Sequence, residues 1–497
     1  MKNKLKLEIV VNQDAPEVPV VKYIDAICGS GKSFNLKQNI VSGDKVFKRF
    51  LLVMPTTDLC EQFRNDLKQL GVESVAIRSE KESATLQIKK ALSPDYFARH
   101  IICTHEAFKH YCYQAFHNKE MQQLLSGFDI YIDEIPTATF GAYVRVKVSD
   151  AIEENFPFLA WIEERNGLYF LKKEHYDNLL CYWKENNANG KDLKHLLWVL
   201  LAGKGMLMDV DKYFFAFTAN PISFASLWAS EYVVMGAGIS RSEFLWFAQN
   251  VLNADVMRAS ESLYPASERM SYPNRNVILY SLMESNASLE KLGYCFTNHL
   301  PELSRIVGKD FIYATNNDKN NSQFQCNFFG IGEKELGEKG GVRVSMCSYG
   351  MNSYQDCHKA VFLGCSNDNR DITGKWVKYC ELNGWDWETV SKLRKAARNY
   401  EQCYQFVSRC SIRNFDKRQQ QLYIVPDLAT AEYLKEHYFK SASIECLGYD
   451  KPKEERKKVK GNETKALVQK YKAQGYKQNQ VVEKTGLTKG RVSQIWK

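Results

Sequence analysis

At 497 residues the chain exceeds what one hydrophobic core can organise, and a spacing of roughly 150 residues per domain predicts about three domains. Apolar residues make up 44% and charged residues 25%, the balance of a folded globular protein. No window approaches the ~20 uninterrupted apolar residues of a membrane span, and Met1-Lys2-Asn3-Lys4 leads into no signal-peptide core, so a cytoplasmic chain without a membrane partner is expected.

Residues 1 to 20 form a lead-in with one edge-strand pattern, Leu5, Leu7 and Ile9 alternating with polar residues. The apolar run Val18 to Ile24 then reads as a strand, and Ala26-Ile27-Cys28-Gly29-Ser30-Gly31-Lys32-Ser33 separates it from a helical segment beginning Phe34-Asn35-Leu36. Strand, glycine-rich loop and helix in that order make a phosphate cradle. The glycines turn main-chain N–H groups inward, Lys32 reaches the β- and γ-phosphates, Ser33 is placed to ligate Mg²⁺, and the helix N-terminus favours an anion. Ala26 occupies the position of the first glycine in the usual pattern, so the match is Gly29-Ser30-Gly31-Lys32-Ser33 with a relaxed start.

Phe50 to Met54 is a second strand, stopping at Pro55-Thr56-Thr57, and Leu59, Phe63, Leu67 and Leu70 recur at helical spacing up to Gly71. A strand at 74–77, a helix at 84–92 and a strand at 101–103 follow, the last leading into Thr104-His105-Glu106. Such alternation predicts a parallel α/β sheet whose ligands gather at the carboxyl ends of the strands. The strand Asp129-Ile130-Tyr131-Ile132 ends in Asp133-Glu134. Beside a phosphate loop, Asp133 is placed to hold Mg²⁺ and Glu134 to orient or deprotonate an attacking water.

Residues 137 to 228, rich in Trp, Tyr and Leu at helical spacing, read as a helical insertion. Strand character returns at 232–238, with a rival at 213–217. From about 275 a second alternating block runs through strands at 277–280, 311–315, 342–344, 360–364 and 422–426, without a phosphate loop of its own. Within it Arg409 and Arg413 stand four apart, which on a helix would place them on one face. The 14 cysteines lack paired C-x-x-C spacing and are expected to be small buried thiols rather than zinc ligands.

Taken in order, these segments resemble a superfamily 2 helicase of the DEAD/DEAH-like kind, most like divergent members from phages and mobile elements. The resemblance implies two tandem RecA-like domains with ATP and Mg²⁺ in the cleft between them, and a role in replication or recombination. Gly29 to Ser33 resembles motif I and Asp133-Glu134-Ile135-Pro136 motif II. Pro55-Thr56 opens a segment similar to motif Ia, and Thr104-His105-Glu106 looks like the neighbouring strand-contacting motif. For motif III two segments compete, Gly236-Ala237-Gly238 and Thr218-Ala219-Asn220, the first ending the stronger strand. Ser348 to Asp356, with Asn352, resembles motif V. Gln405, Arg409 and Arg413 carry the Q-x-x-x-R-x-x-x-R spacing of motif VI, which implies that Gln405 contacts the nucleotide and that the arginines reach the γ-phosphate from the second domain. A single nucleic-acid strand would then lie across Pro55, Thr56, Thr104, His105 and Asn352.

The tail differs in charge from everything before it. From Asp450 to Lys497, 14 Lys/Arg face five Asp/Glu, which accounts for the entire formal net charge of +9. Three short helices are expected there. Ala466, Leu467 and Tyr471 mark the first, Gln478 to Thr485 the second, and a third is N-capped by Thr488 after the turn at Gly486-Leu487, with Val492, Ile495 and Trp496 on its apolar face. The pattern is similar to a helix-turn-helix, which would present Lys489, Arg491 and Gln494 to duplex DNA. The expected organisation is residues 1–274 and 275–445 as two RecA-like domains, a charged linker at 446–463 and a DNA-binding module at 464–497. An ATP-dependent DNA helicase or translocase is the function this organisation implies; a DNA-binding regulatory ATPase and an RNA helicase are the alternatives. Protein partners are not legible.

Overall fold

Five consecutive residues, Phe50 to Met54, are buried to within 1% of complete, as a strand must be when helices cover both faces of its sheet. That strand lies inside a seven-stranded sheet in the computed structural model. The described residues are 18–78, 82–145, 158–185, 191–209, 213–272, 276–316, 337, 340–346, 353–367, 370–415, 418–450, 461–485, 487 and 489–496. The expected lead-in strand, the Thr488 cap and the charged linker over 451–460 lie outside them.

The first sheet is built from β1 (Val20–Asp25), β2 (Phe50–Met54), β3 (Ser74–Ala76), β4 (His100–Thr104) and β5 (Asp129–Asp133), joined after the insertion by β11 (Glu231–Gly236) and β12 (Asp255–Arg258). Its order is β12-β1-β11-β5-β2-β4-β3, and every pairing is parallel. The insertion is mixed rather than helical. It contains β6 (Thr139–Arg145), the hairpin β7 (Ile162–Arg165) and β8 (Leu168–Leu171), β9 (Leu207–Met208) and β10 (Tyr213–Ala219), with β6-β10-β9 forming a small antiparallel sheet. Its helices Tyr176–Glu185 and Lys191–Leu201 supply the helical spacing read from the sequence.

The second sheet is also wholly parallel, in the order β15-β14-β16-β17-β13-β18. Its strands are β13 (Val277–Met283), β14 (Phe311–Thr315), β15 (Gly341–Arg343), β16 (Lys359–Leu363), β17 (Gln421–Asp427) and β18 (Ser443–Cys446). Two doubly covered parallel sheets in tandem, the first with its phosphate-type loop after β1, constitute a pair of RecA-like domains. Both belong to one compact unit, residues 1–449.

Residues 450–497 form a second unit. Helices Gly461–Ala473, Gln478–Thr485 and Lys489–Trp496 enclose a small core of Val468, Val481, Val492 and Ile495. Among the described residues no helix is long and apolar enough to cross a membrane.

Candidate functional site

β1 delivers the chain to its loop at the carboxyl edge of the first sheet. Gly29 and Gly31 adopt φ of 79° and 105°, values that L side chains rarely reach, and Gly31 is the residue before α1 (Lys32–Asp44). Ala26 has no positive φ, which explains why the first glycine of the usual pattern is dispensable here. Lys32 is 7% exposed, and its ammonium donates to the carbonyls of Ala26 at 2.8 Å and Ile27 at 3.1 Å.

Two strands away, β5 ends in Asp133, and Glu134 follows at φ 63°. A non-glycine residue held there stores roughly 1–3 kcal/mol of strain, and such strain concentrates at working sites. Burial first, then the carboxylate of Glu134, push Asp133 up to about 7, against the opposing pull of Lys32 and Arg409. Ser33 and Asp133 line one cavity of ≈ 250 Å³ together with Gly29, Gly31, Lys32 and Glu134. A hydroxyl and a carboxylate are the oxygen donors that Mg²⁺ takes, and a divalent cation would relieve the carboxylate repulsion recorded at Asp133. The residues present therefore fit that ion.

The opposite wall of the cavity comes from the second domain. Arg409 and Arg413 both line it. The helix Glu401–Val407 stops short of both arginines, so they do not share a helical face as their spacing suggested. The Ser408 hydroxyl donates to the Gln405 carbonyl, and the Ser411 N–H donates to the Cys357 carbonyl at 2.7 Å, which turns the chain into the short 3₁₀ segment Ser411–Arg413. Gln405 sits on that helix and spans the cleft. Its amide donates to Glu134 Oε2 at 3.0 Å, while its side-chain oxygen accepts from Arg409 at 3.3 Å and from the Cys28 thiol at 3.3 Å. Arg413 lies so close to the loop that a Cβ at Gly29 would stand 2.9 Å from the Arg413 Cβ.

A second contact joins the domains beside this one. Gly236 to Gly238, at the end of β11, abut the loop: the Ala26 N–H donates to the Gly236 carbonyl, and the Asp25 carboxylate accepts from the N–H groups of Gly238 and Ser240. Arg241 then reaches Glu401 of the second domain at 3.5 Å, and Glu401 accepts hydroxyl bonds from Tyr433 at 2.5 Å and Tyr438 at 2.6 Å. Thr218 to Asn220, the rival segment, closes β10 in the insertion, where Asn220 caps a short helix.

The strand-contacting candidates occupy the same sheet edge. Thr56 and Thr104 cap their helices, accepting from Leu59 N–H and Ala107 N–H, and Pro55 is half-buried between β2 and that cap. His105 turns inward instead. Its Nε2 lies 2.8 Å from the Asp133 carbonyl, and burial lowers its pKa to about 4, so the ring is neutral and that nitrogen carries the donated proton. Asn352 lies outside the described residues. In the tail, Lys489 and Gln494 are exposed on the last helix, and Arg491 is within its span. Four residues of this region carry no motif of their own: Tyr272, Tyr404, Arg241 and Glu401. Nothing in their local pattern separates them from core tyrosines and surface charges.

No family model matches the chain, and no curated protein does. Solved structures similar to it include Xpd4 of S. tokodaii, at 13% identity and a TM-score of 0.44, covering 86% of this chain and 96% of that one. The DUF1998 helicase MrfA bound to DNA and AMPPNP shares 11% identity at a TM-score of 0.32, covering 86% of this chain and 50% of that one. The DEAD-box helicase Mss116 bound to ssRNA and UDP-BeF shares 9% at a TM-score of 0.35, covering 97% and 83%.

Proposed function

We propose that the chain is an ATP-dependent DNA helicase or translocase of superfamily 2 type, hydrolysing ATP between its two RecA-like domains. The observation that carries this reading is the shared cavity: Lys32 and Asp133 from one domain and Arg409 and Arg413 from the other face the same ≈ 250 Å³. In this reading Lys32 exchanges its loop carbonyls for β- and γ-phosphate oxygens. Glu134, held through Gln405, orients the attacking water, and Arg409 and Arg413 stabilise charge on the transferred phosphoryl group. Ser33 and Asp133 would hold Mg²⁺, which when bound neutralises phosphate charge. Pro55, Thr56, Thr104 and Asn352 would lie along the single strand. Lys489, Arg491 and Gln494 would read duplex DNA, a use favoured by the basic charge of the tail unit.

The test is ATP hydrolysis measured with single-stranded DNA, duplex DNA or RNA added. Stimulation by single-stranded DNA that disappears in Lys32→Ala, with strand displacement on a 3′- or 5′-tailed duplex, is the expected result. Stimulation without displacement on either substrate would favour a regulatory ATPase. Equal hydrolysis in Lys32→Ala would end the proposal.

A further inference from the structure

The phosphate loop is gripped by two buried tyrosines, one of them from the second domain. Tyr404 sits on the second-domain helix Glu401–Val407, four residues before Ser408, and its ring stacks on Tyr438 with centroids 3.4 Å apart. Tyr272 precedes β13. The Cys28 N–H donates to the Tyr404 hydroxyl at 2.9 Å, the Tyr272 hydroxyl donates to the Cys28 carbonyl at 2.8 Å, and the two hydroxyls lie 3.1 Å apart.

Proton counting leaves one arrangement. Tyr272 has a single hydroxyl proton, committed to the Cys28 carbonyl, so the bond between hydroxyls must run from Tyr404 to Tyr272. The three bonds then close a ring around Cys28: N–H to Tyr404, Tyr404 to Tyr272, Tyr272 to C=O. Tyr404 is 0% and Tyr272 5% exposed, so water cannot substitute freely at either. Holding both polar groups of Cys28 restricts its φ and ψ together. Cys28 is also the residue that aims Gly29, Ser30 and Gly31, the glycine-rich turn at the cavity.

We infer that Tyr272 and Tyr404 are positioning residues for nucleotide binding: the ring they close around Cys28 pre-shapes the anion-binding loop, so nucleotide affinity depends on a residue of the second domain as well as on the first. This rests on the loop being a nucleotide site. It is distinct from the action of Arg409 and Arg413, which concerns the transition state and should appear in kcat.

The experiment is equilibrium titration of the full chain with a fluorescent ADP analogue, alongside steady-state ATPase kinetics. The variants are Tyr404→Phe, Tyr272→Phe, the double variant, Lys32→Ala and Tyr111→Phe. Phenylalanine keeps the stacking and volume and removes only the hydroxyl. Tyr111 is the control, a buried tyrosine whose hydroxyl donates to the Met121 carbonyl at 2.8 Å away from the loop. Each ring variant is expected to raise Kd and KM about 5- to 10-fold, the worth of one buried hydrogen bond, with kcat nearly unchanged. The double variant should bind no worse than the weaker single one, because either change opens the ring. Wild-type affinity in both ring variants, with Lys32→Ala weakened, overturns the inference, as does equal weakening in Tyr111→Phe or independent, multiplying losses in the double variant. Absence of any nucleotide binding by the wild type overturns the nucleotide reading beneath it instead.

Discussion

Gly29 and Gly31 both sit at positive φ, yet their surroundings differ, and substitution separates what each does. A Cβ at Gly31 meets nothing within 4 Å, whereas at Gly29 it would stand 2.9 Å from the Arg413 Cβ and 3.2 Å from its Cα. Gly31→Ala therefore costs only the backbone preference, roughly 1–2 kcal/mol, expressed as weaker nucleotide binding. Gly29→Ala adds a displacement of the Arg413 chain and should lower kcat about tenfold or more as well, since an arginine reaching the γ-phosphate is worth about 10³–10⁵ in rate. Steady-state ATPase kinetics on the two variants decide this; an equal fall in kcat in both would mean that the proximity of Arg413 is not the cause. Glu134 supplies the complementary prediction. If it orients the water, Glu134→Gln should reduce kcat about 10²–10⁴-fold while nucleotide affinity is retained, and a proportionate loss of affinity would assign it to binding.

The helix leading to the arginines is the element on which the two domains meet. Trp387–Lys395 runs through a π-helical segment, Ala396–Tyr400, into Glu401–Val407, and its two ends are held by different partners. Arg394 pairs with Glu243 of the first domain at 3.5 Å, while Glu401, one turn before Gln405, pairs with Arg241. Burial is the largest influence on Glu401 and raises its pKa despite Arg241 and the two tyrosine hydroxyls. Its folded form thus holds a proton more tightly than the unfolded chain. By linkage, stability falls as pH rises from the ordinary glutamate value, about 4.3, through the folded one. Glu401→Gln should lack that fall, so the difference in melting temperature between variant and wild type should grow as pH is raised over this window; a constant difference would refute the assignment.

What the sequence could show at this scale follows from the same packing. Strands covered on both faces, such as Phe50 to Met54 and the Ile130 to Ile132 centre of β5, appear as unbroken apolar runs and are legible. The edge strands Asp255–Arg258 and Ser443–Cys446 are four residues each and largely exposed, so no apolar run announces them. The spacing of Lys32, Asp133 and Gln405 singles them out in the sequence, and in the structure Lys32 and Asp133 line one cavity while Gln405 bonds to Glu134 beside them. The end of the helix before Arg409 was not legible, because a hydrogen bond from Ser411 to distant Cys357 sets it. The ring around Cys28 joins residues 244 and 376 positions away, and local pattern contains no trace of it.

For the molecule as a whole, packing and charge are distributed differently. Trp376 and Tyr379, from the helix Arg370–Leu382 between β16 and β17, belong to the same hydrophobic cluster as Phe247 of the first domain, and the Tyr379 hydroxyl is 2.7 Å from the Phe217 carbonyl in the insertion. Trp376→Ala should therefore cost about 3–5 kcal/mol and lower the melting transition of both RecA-like domains together, as calorimetry would show; loss of the second domain alone would mean that the cluster does not couple them. The net charge lies elsewhere, wholly within residues 450–497. Each phosphate that these residues neutralise contributes about −0.9 to the slope of log K against log salt on duplex DNA, and residues 1–449, with a formal charge of zero, have no net electrostatic drive of their own. Removing 450–497 should weaken duplex binding most at low salt and flatten that slope by about 0.9 for every phosphate no longer neutralised. Hydrolysis without nucleic acid should persist, since the cavity is lined entirely from residues 28–413. Binding isotherms from about 50 to 200 mM salt on the full and shortened chains measure the change, and an unaltered slope would place the duplex-binding residues within residues 1–449 rather than in the tail.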